Sequence, residues 1–210
     1  GFVNELESCR YHGVEGLIYA SSSSVYGSNE KIPFSEKDRI DKPLSIYGAS
    51  KISNELMAKS YHSLYGLKST GLRFFTVYGP WGRPDMAMYI FTKKILENEP
   101  IQLFNHGIMD RDFTYIDDII SGVASAVENN YDNEIFNLGN NKSESLTDLV
   151  EIIEKKLEKK AIIEFEPMQL GDVKNTFADI EKAKKKLGYA PKFNMKKGVE
   201  NFIDWYLSYN

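Results

Sequence analysis

Hydrophobic positions along the chain follow two periods. Short apolar runs of strand length occur at residues 16–22, 69–77, 101–104, 112–115, 134–138 and 161–165. Between these runs, apolar residues recur at helical spacing and predict helices at 2–9, 47–65, 86–98, 117–128 and 146–157, and two more at the C-terminal end. Strands that alternate with helices favour an α/β fold with a largely parallel sheet.

Hydroxyl groups cluster at the end of the first predicted strand. Ser21 to Ser24 follow its apolar residues, and ligands bind at the carboxyl ends of the strands in an open α/β sheet. Tyr47 and Lys51 lie four residues apart and therefore share one face of the next helix. An ammonium there lowers the pKa of a phenol from about 10 toward neutrality. With the hydroxyl of Ser22, these groups predict a site that handles protons.

A second pair has the same spacing, because Tyr89 and Lys93 are also four residues apart. No serine-bearing strand end precedes them, and Tyr89 lies in an ordinary amphipathic pattern. We therefore favour Tyr47 as the catalytic tyrosine. The alternative is that Tyr47 is only a packed helix residue.

Composition excludes several classes of function. A formal net charge of −4 argues against a nucleic-acid partner, which normally needs a basic surface. Cys9 is the only cysteine, so no intrachain disulfide forms and a cytoplasmic location is expected. The three histidines lack metal-ligand spacing, so we expect no metal. No apolar stretch is long enough for a membrane span, and no signal peptide is recognisable, so no membrane partner is expected.

One expected motif is missing. A dinucleotide-binding domain places a glycine-rich turn between its first strand and helix. Only Gly13/Gly16 and Gly79/Gly82 are spaced three apart, and neither pair continues the motif. The chain also opens within a helical pattern. We therefore expect the C-terminal half of a Rossmann-type doubly wound parallel sheet, with a smaller α/β substrate-binding domain.

Five sequence runs resemble the extended short-chain dehydrogenase/reductase family, specifically its NAD-dependent nucleotide-sugar epimerases. They stand in the family's order at residues 20–27, 47–51, 72–80, 111–118 and 171–173. The resemblance implies an NAD cofactor, a UDP-sugar substrate and an N-terminal glycine-rich half that is absent here. It divides the chain into a remainder of the NAD-binding domain at 1–80 and a mostly UDP-sugar-binding part at 81–210, from which about 112–140 returns to the first sheet.

The same resemblance assigns roles at the first strand end. Ser22 is the active-site hydroxyl, and Tyr47 is the acid and base for the sugar 4-hydroxyl. Lys51 binds the nicotinamide ribose and lowers the pKa of Tyr47, and Phe75 lies beside the nicotinamide. The implied reaction is epimerisation at C4 through a transient 4-keto sugar.

Three positions narrow the choice within the family. Related 4,6-dehydratases carry Asp-Glu where this chain has Ser23 and Ser24, and related UDP-glucuronate decarboxylases carry Glu at Ser24. UDP-glucose 4-epimerases have Asn in place of Thr76. The run from Arg73 to Ala87 looks like the UDP-glucuronate 4-epimerases. The alternatives are a UDP-glucose or UDP-N-acetylglucosamine 4-epimerase, or an inactive truncated relative.

The remaining expected contacts concern the substrate. Arg83 and Thr76 are expected to hold the C6 carboxylate of a uronic acid, because a guanidinium binds a carboxylate with two hydrogen bonds; the alternative makes Arg83 a surface residue. By resemblance, Arg111 binds the UDP diphosphate and Asp172 the uridine ribose. Phe104 lies against the uracil, unless it is a buried strand residue.

The expected assembly is a homodimer. Phe2, Leu6 and Cys9 form an apolar stripe on the first helix, and the helix at 47–65 carries Ile52, Leu56 and Tyr61. In the family that the chain resembles, two such helices pair across a two-fold axis. The alternative is that both stripes face the chain's own sheet.

Overall fold

The computed structural model describes residues 1–169, 171 and 173–209. Within them the helices are α1 Phe2–Tyr11, α2 Ile46–Tyr65, α3 Ala87–Glu97, α4 Ile116–Asn129, α5 Leu146–Leu157, α6 Glu181–Leu187 and α7 Met195–Tyr209. The strands are β1 Leu17–Ser22, β2 Ser69–Phe74, β3 Thr76–Tyr78, β4 Pro100–Phe104, β5 Asp110–Arg111, β6 Phe113–Tyr115, β7 Asn133–Leu138, β8 Glu144–Ser145 and β9 Ile162–Glu166. The α/β fold class expected from the sequence is confirmed.

The central sheet is parallel, with the strand order β1-β2-β7. Its register aligns Ser22 with Phe74 and Phe74 with Leu138, so the three carboxyl ends meet at one edge. Helix α2 connects β1 to β2 and packs against both. The turn that contains Ser23 and Ser24 begins at this edge. Ligands of open α/β sheets bind at the same edge.

The prediction of one strand at residues 69–77 was wrong, because the segment forms two strands, β2 and β3. The backbone N–H of Phe75 donates to Leu138 in β7 (3.1 Å), whereas that of Thr76 donates to Asp112, next to β6 (3.0 Å). The chain thus leaves the central sheet after β2, and β3 pairs with β6 in a separate parallel sheet. The apolar run conceals this change, because hydrophobicity alone does not specify a hydrogen-bond partner.

Two apolar clusters flank this point. One surrounds the central sheet and includes Leu72, Phe136 and Ala126. The other packs α3, α5 and α7 over β3, β4 and β6, with Tyr78, Leu103 and Phe202 among its members. Phe75 belongs to the first cluster and Tyr78 to the second, so residues 74–78 lead from one cluster to the other.

The start of α2 is fixed by a side-chain cap. The hydroxyl of Ser45 accepts the backbone N–H of Gly48 (3.0 Å), as an N-cap residue does. Gly66 ends the helix in the left-handed conformation (φ +67°), which glycine adopts without a steric penalty. Ser145 likewise caps α5 by accepting from the N–H of Thr147 (3.1 Å). Both helix starts were predicted from the sequence.

The apolar stripe of α1 faces the chain's own sheet. Leu6 is fully buried, and the ring of Phe2 packs against that of Tyr19 in β1 (5.1 Å between centroids). Leu6 and Tyr19 form a third apolar cluster with Ala58 of α2, and Cys9 packs against it. The apolar stripe of α1 therefore packs against the chain's own sheet, which was the alternative to a place in a dimer interface. Leu56 in α2, by contrast, is 59% exposed.

Two further observations concern membranes and metals. No helix in the described ranges is both long and apolar enough to cross a bilayer. The same residues contain no group of three or more His, Cys, Asp or Glu side chains arranged to hold a metal ion.

Candidate active site

Ser22 ends β1 and caps a short 3₁₀ turn at Ser23–Tyr26, called the serine turn below. Its hydroxyl oxygen accepts the backbone N–H of Ser24 (3.1 Å), and its hydroxyl donates to the Ser24 hydroxyl (3.1 Å). Ser22 is nearly buried, whereas Ser23 and Ser24 are partly exposed. The strand end therefore presents a row of orientated hydroxyl groups.

Helix α2 brings Tyr47 and Lys51 to this strand end. The ammonium of Lys51 donates to the backbone carbonyl of Ala20 in β1 (2.9 Å). The same nitrogen lies 5.6 Å from the ring centroid of Tyr47. Tyr47 is 53% exposed, so its hydroxyl is open to a ligand. The predicted tyrosine, lysine and serine are brought to one place by two elements far apart in sequence.

The end of β1 with its turn, the start of α2 and the segment that follows β2 line a cleft of about 590 Å³. Ser22 to Ser24 form one side, Tyr47 another, and Phe75 and Thr76 the wall that follows β2. Tyr89 takes no part, because its ring packs against Phe202 and Tyr206. The remaining lining residues are Ala20, Ser21, Phe74, Val77, Trp81, Gly82, Arg83 and Met86.

Phe75 and Thr76 occupy the change of sheet after β2. Phe75 is only 6% exposed and packs against Tyr26 and Phe34, so it offers the cleft a small part of its surface. Thr76 borders this cleft and a neighbouring one of about 490 Å³. The break that the sequence did not predict is thus what places Thr76 between two clefts.

Arg83 lies in the loop after β3, where its guanidinium is paired with Asp85. Its Nε and Nη2 donate to the two carboxylate oxygens at 3.0 and 2.8 Å. Both side chains are largely exposed, at 71% and 66%. Trp81 anchors the loop, because its ring packs against Trp205 and Tyr209 of α7 (5.5 and 4.7 Å between centroids).

The neighbouring cleft contains two of the residues assigned to the nucleotide. Phe104, which ends β4, and Arg111 of β5 both line it. Arg111 also donates to the carbonyls of Asp110 (3.0 Å) and Lys174 (3.1 Å). Phe104 is partly exposed, unlike a fully buried strand residue. Asp172, assigned to the uridine ribose, lies outside the described residues.

A buried carboxylate holds the backbone beside Arg111. Asp112 is 0% exposed. It accepts the N–H groups of Asn140 (2.6 Å) and Ala178 (3.0 Å) and the hydroxyl of Thr114 (2.9 Å). Burial raises the pKa of this carboxyl. Asp112 therefore joins three chain segments at the point from which Arg111 extends.

Sequence reasoning missed several residues of the second cleft. Asp85 and Met86 come from the loop that carries Arg83, and Lys94 and Gln102 come from α3 and β4. Gln169 also lines it. Asp85 was detectable as an acidic neighbour two residues from Arg83. No local sequence pattern marks the other residues as part of a site, because they come together only through the packing of β4 against α3.

Gly48 makes close contact with the serine turn and supplies a first prediction. A Cβ atom at this position would lie 2.7 Å from the backbone carbonyl oxygen of Ser24. Although alanine favours helix formation, Gly48→Ala would push the start of α2 away from the turn. We expect kcat to fall by up to about 100-fold, since a displacement near 1 Å in a catalytic site can have that effect. The test is to measure kcat of Gly48→Ala, with Ser50→Ala at an exposed neighbouring position as the control. Equal kcat values for the two variants would contradict the prediction.

Comparisons with known proteins agree with this architecture. The chain is 54% identical over 207 residues to an uncharacterized protein of Methanocaldococcus jannaschii, covering 99% of this chain and 64% of the relative. It is 47% identical to UDP-glucuronate 4-epimerase 4 of Arabidopsis thaliana, covering 100% of this chain and 52% of that protein. The chain thus spans between half and two thirds of these relatives.

A solved structure has the same fold. It is a tyrosine-to-phenylalanine mutant of UDP-glucuronic acid 4-epimerase from Bacillus cereus, in complex with UDP-4-deoxy-4-fluoro-glucuronic acid and NAD. The TM-score is 0.94 at 36% identity, covering 100% of this chain and 67% of that chain.

The family comparison agrees with the resemblance found in the sequence motifs. The matching family model is described as NAD dependent and covers residues 1–139. Both the family and the cofactor that the resemblance implied are thereby confirmed. The chain belongs to the NAD dependent epimerase/dehydratase family.

Proposed function

We propose that the protein in its full natural length epimerises a UDP-sugar at C4, and that its substrate pair is UDP-glucuronate and UDP-galacturonate. One observation carries the proposal: the cleft lined by Ser22 and Tyr47 shares Thr76 and Met86 with the cleft that Arg111 lines. Lys51 lies beside the first cleft, on the carbonyl of Ala20. A sugar in the first cleft would thus have its diphosphate near a cation. The similarity to UDP-glucuronate 4-epimerases supports the choice of sugar.

Residues in and beside the first cleft fit a nicotinamide cofactor. An ammonium has three N–H donors, of which Lys51 uses one on the carbonyl of Ala20. The others would bind the ribose hydroxyls. Phe74 and Phe75 supply an apolar wall for the nicotinamide ring. When bound, NAD would accept a hydride from the sugar C4 and return it to the opposite face.

Proton transfer falls to this chain's own residues. Ser22 would hydrogen-bond to the sugar 4-hydroxyl and orientate it. Tyr47 as the phenolate would take the hydroxyl proton while the C4 hydrogen departs, and would return it to the oxygen of the opposite epimer. Lys51 keeps a positive charge near the ring whose oxygen becomes negative. The exchange leaves a sugar of unchanged atomic composition.

The turn residues support epimerisation over elimination. Loss of water from the 4-keto sugar requires a carboxylic acid and a carboxylate beside C5 and C6. Ser23 and Ser24 line the cleft with hydroxyl groups instead. A serine hydroxyl, unlike the phenol of Tyr47, does not donate or accept a proton readily near neutral pH. The 4-keto sugar would therefore survive until it is reduced again.

Arg83 is proposed to bind the C6 carboxylate. Its present partner, Asp85, is itself a carboxylate held by two hydrogen bonds. An ion pair this exposed contributes only about 0–1 kcal/mol. A substrate carboxylate would therefore replace Asp85 at the same guanidinium with little loss, because the geometry of the two groups is identical.

We expect Arg83→Ala to raise KM for UDP-glucuronate about 10- to 100-fold more than KM for UDP-glucose, because a charge-assisted hydrogen bond contributes about 1.5–3 kcal/mol. Steady-state kinetics with both substrates checks this. Arg39→Ala is a matched control, because Arg39 pairs with Asp41 at the same spacing on an exposed surface. Equal losses for the two sugars in Arg83→Ala would assign Arg83 a structural role.

A substrate panel tests the proposed function. The full-length protein would be supplied with NAD and incubated separately with UDP-glucuronate, UDP-glucose and UDP-N-acetylglucosamine. We expect the highest kcat/KM with UDP-glucuronate. Turnover of UDP-glucose or UDP-N-acetylglucosamine alone would replace the uronate assignment with one of the two alternatives.

We also propose a homodimer whose interface includes α2. Leu56 and Leu64 are 59% and 70% exposed on this helix, and Tyr11 at the end of α1 is 79% exposed. Such apolar surface favours association with a second copy. Light scattering should give the mass of a dimer for the unmodified protein and the mass of a monomer for Leu56→Glu. Leu207→Glu is the control and should remain a dimer, because Leu207 is 52% exposed but lies on α7. A monomer mass for the unmodified protein would contradict the proposal.

A further inference from the structure

A row of polar side chains crosses the buried central sheet. Ser21 in β1 is aligned with Arg73 in β2, and Arg73 is aligned with Asn137 in β7. Their exposed fractions are 2%, 3% and 0%. Polar groups in such a sheet are costly unless they are hydrogen-bonded. The row lies one residue before Ser22, and Ser21 itself lines the cleft that contains Ser22 and Tyr47.

Glu55 of α2 binds two members of this row. Its carboxylate accepts Nε and Nη2 of Arg73 at 2.9 and 2.7 Å. The same carboxylate accepts the hydroxyl of Ser21 at 2.6 Å. Glu55 is 7% exposed, so this ion pair is shielded from water.

The network continues through Tyr26, which belongs to the serine turn. Nη1 of Arg73 donates to the Tyr26 hydroxyl (3.0 Å), which donates to the side-chain oxygen of Asn137 (2.6 Å). The guanidinium also lies 4.9 Å from the Tyr26 ring centroid. Helix α2, the serine turn and all three strands are thus joined by one set of directional contacts.

The position of Glu55 on α2 relates this network to the catalytic pair. Tyr47, Lys51 and Glu55 are spaced four residues apart and share one helix face. Lys51 binds the carbonyl of Ala20, and Glu55 binds the hydroxyl of Ser21. The helix is therefore attached to two consecutive residues of β1, immediately before Ser22.

We propose that Glu55, held by Arg73 and Ser21, is a positioning residue that sets the height and rotation of α2 and so places Tyr47 over Ser22. This inference rests on the proposed function. A buried ion pair often adds little to stability compared with apolar residues of the same size. What a bidentate pair does provide is a fixed direction between helix and strand.

The experiment compares two matched serine variants with Glu55→Gln. Ser21→Ala removes one link between α2 and β1. Ser69→Ala is its control, because Ser69 is equally buried (2%) in the same sheet and its hydroxyl has no hydrogen-bond partner among the described residues. Full-length variants would be measured for kcat and KM with UDP-glucuronate, for urea unfolding and for amide hydrogen exchange at residues 49–53.

We expect Ser21→Ala to lower kcat about fivefold and Glu55→Gln about 20-fold or more, with KM within about twofold, because displaced catalytic groups affect chemistry more than binding. Amide exchange at residues 49–53 should accelerate in both. Ser69→Ala should match the unmodified protein.

Two outcomes would overturn the positioning role. One is a folded Glu55→Gln with unchanged kcat and exchange. The other, decisive if Glu55→Gln unfolds, is a Ser21→Ala that behaves like Ser69→Ala. An unmodified protein without epimerase activity would contradict the proposed function instead, and the exchange comparison would still decide whether Glu55 fixes α2.

Discussion

We expect Tyr47→Phe to slow epimerisation by about 10²- to 10⁴-fold, the usual contribution of a positioned acid or base. The substitution removes one hydroxyl from a side chain that is 53% exposed, so no buried contact is lost. Folding and UDP-sugar binding should therefore be unchanged. The measurements are kcat with UDP-glucuronate, urea unfolding and the Kd of UDP-glucuronate by calorimetry.

Tyr89→Phe is the matched control for this variant. Tyr89 has the same spacing to a lysine, but its ring packs against Phe202 and Tyr206. We expect near-normal kcat for Tyr89→Phe. A large loss of kcat in this control with little loss in Tyr47→Phe would contradict the assignment of the catalytic tyrosine.

The second large effect concerns stability. Asp112→Ala should lower the free energy of unfolding by about 3–5 kcal/mol, because several buried donors lose their acceptor at once. These donors are the N–H groups of Asn140 and Ala178 and the hydroxyl of Thr114. Urea denaturation measures the change through the unfolding midpoint.

Asp117→Ala provides the comparison for Asp112. Asp117 lies five residues further on and is exposed in the first turn of α4. Its removal should cost less than about 1 kcal/mol, as for surface charges near a helix start. Equal unfolding midpoints for the two variants would show that Asp112 does not hold its three segments together.

Local sequence signals predicted much of this fold. The starts of α2 and α5 were recognisable because Ser45 and Ser145 cap the following turns through their own hydroxyls. The order of strands and helices could also be predicted, because the spacing of apolar residues in each element is a local property of the sequence. These features need no knowledge of the distant chain.

Features that depend on tertiary partners were not readable. The chain changes sheet at Phe75 because its neighbours bond to different strands, and the apolar run looks the same on either side. The pairing of Glu55 with Arg73 likewise joins residues that share no local pattern. Within the site, Tyr47/Lys51 and Tyr89/Lys93 have identical spacing. What distinguishes them is that α2 lies against the serine turn whereas Tyr89 packs against α7.

A proton NMR time course tests C4 epimerisation of a uronate most directly. The full-length protein with NAD would be incubated with UDP-glucuronate in ²H₂O. We expect UDP-galacturonate to accumulate to equilibrium with its original hydrogen retained at C4, since that hydrogen returns to the same carbon. Deuterium at C4, a decarboxylated pentose product, or no conversion while UDP-glucose is epimerised would contradict this function.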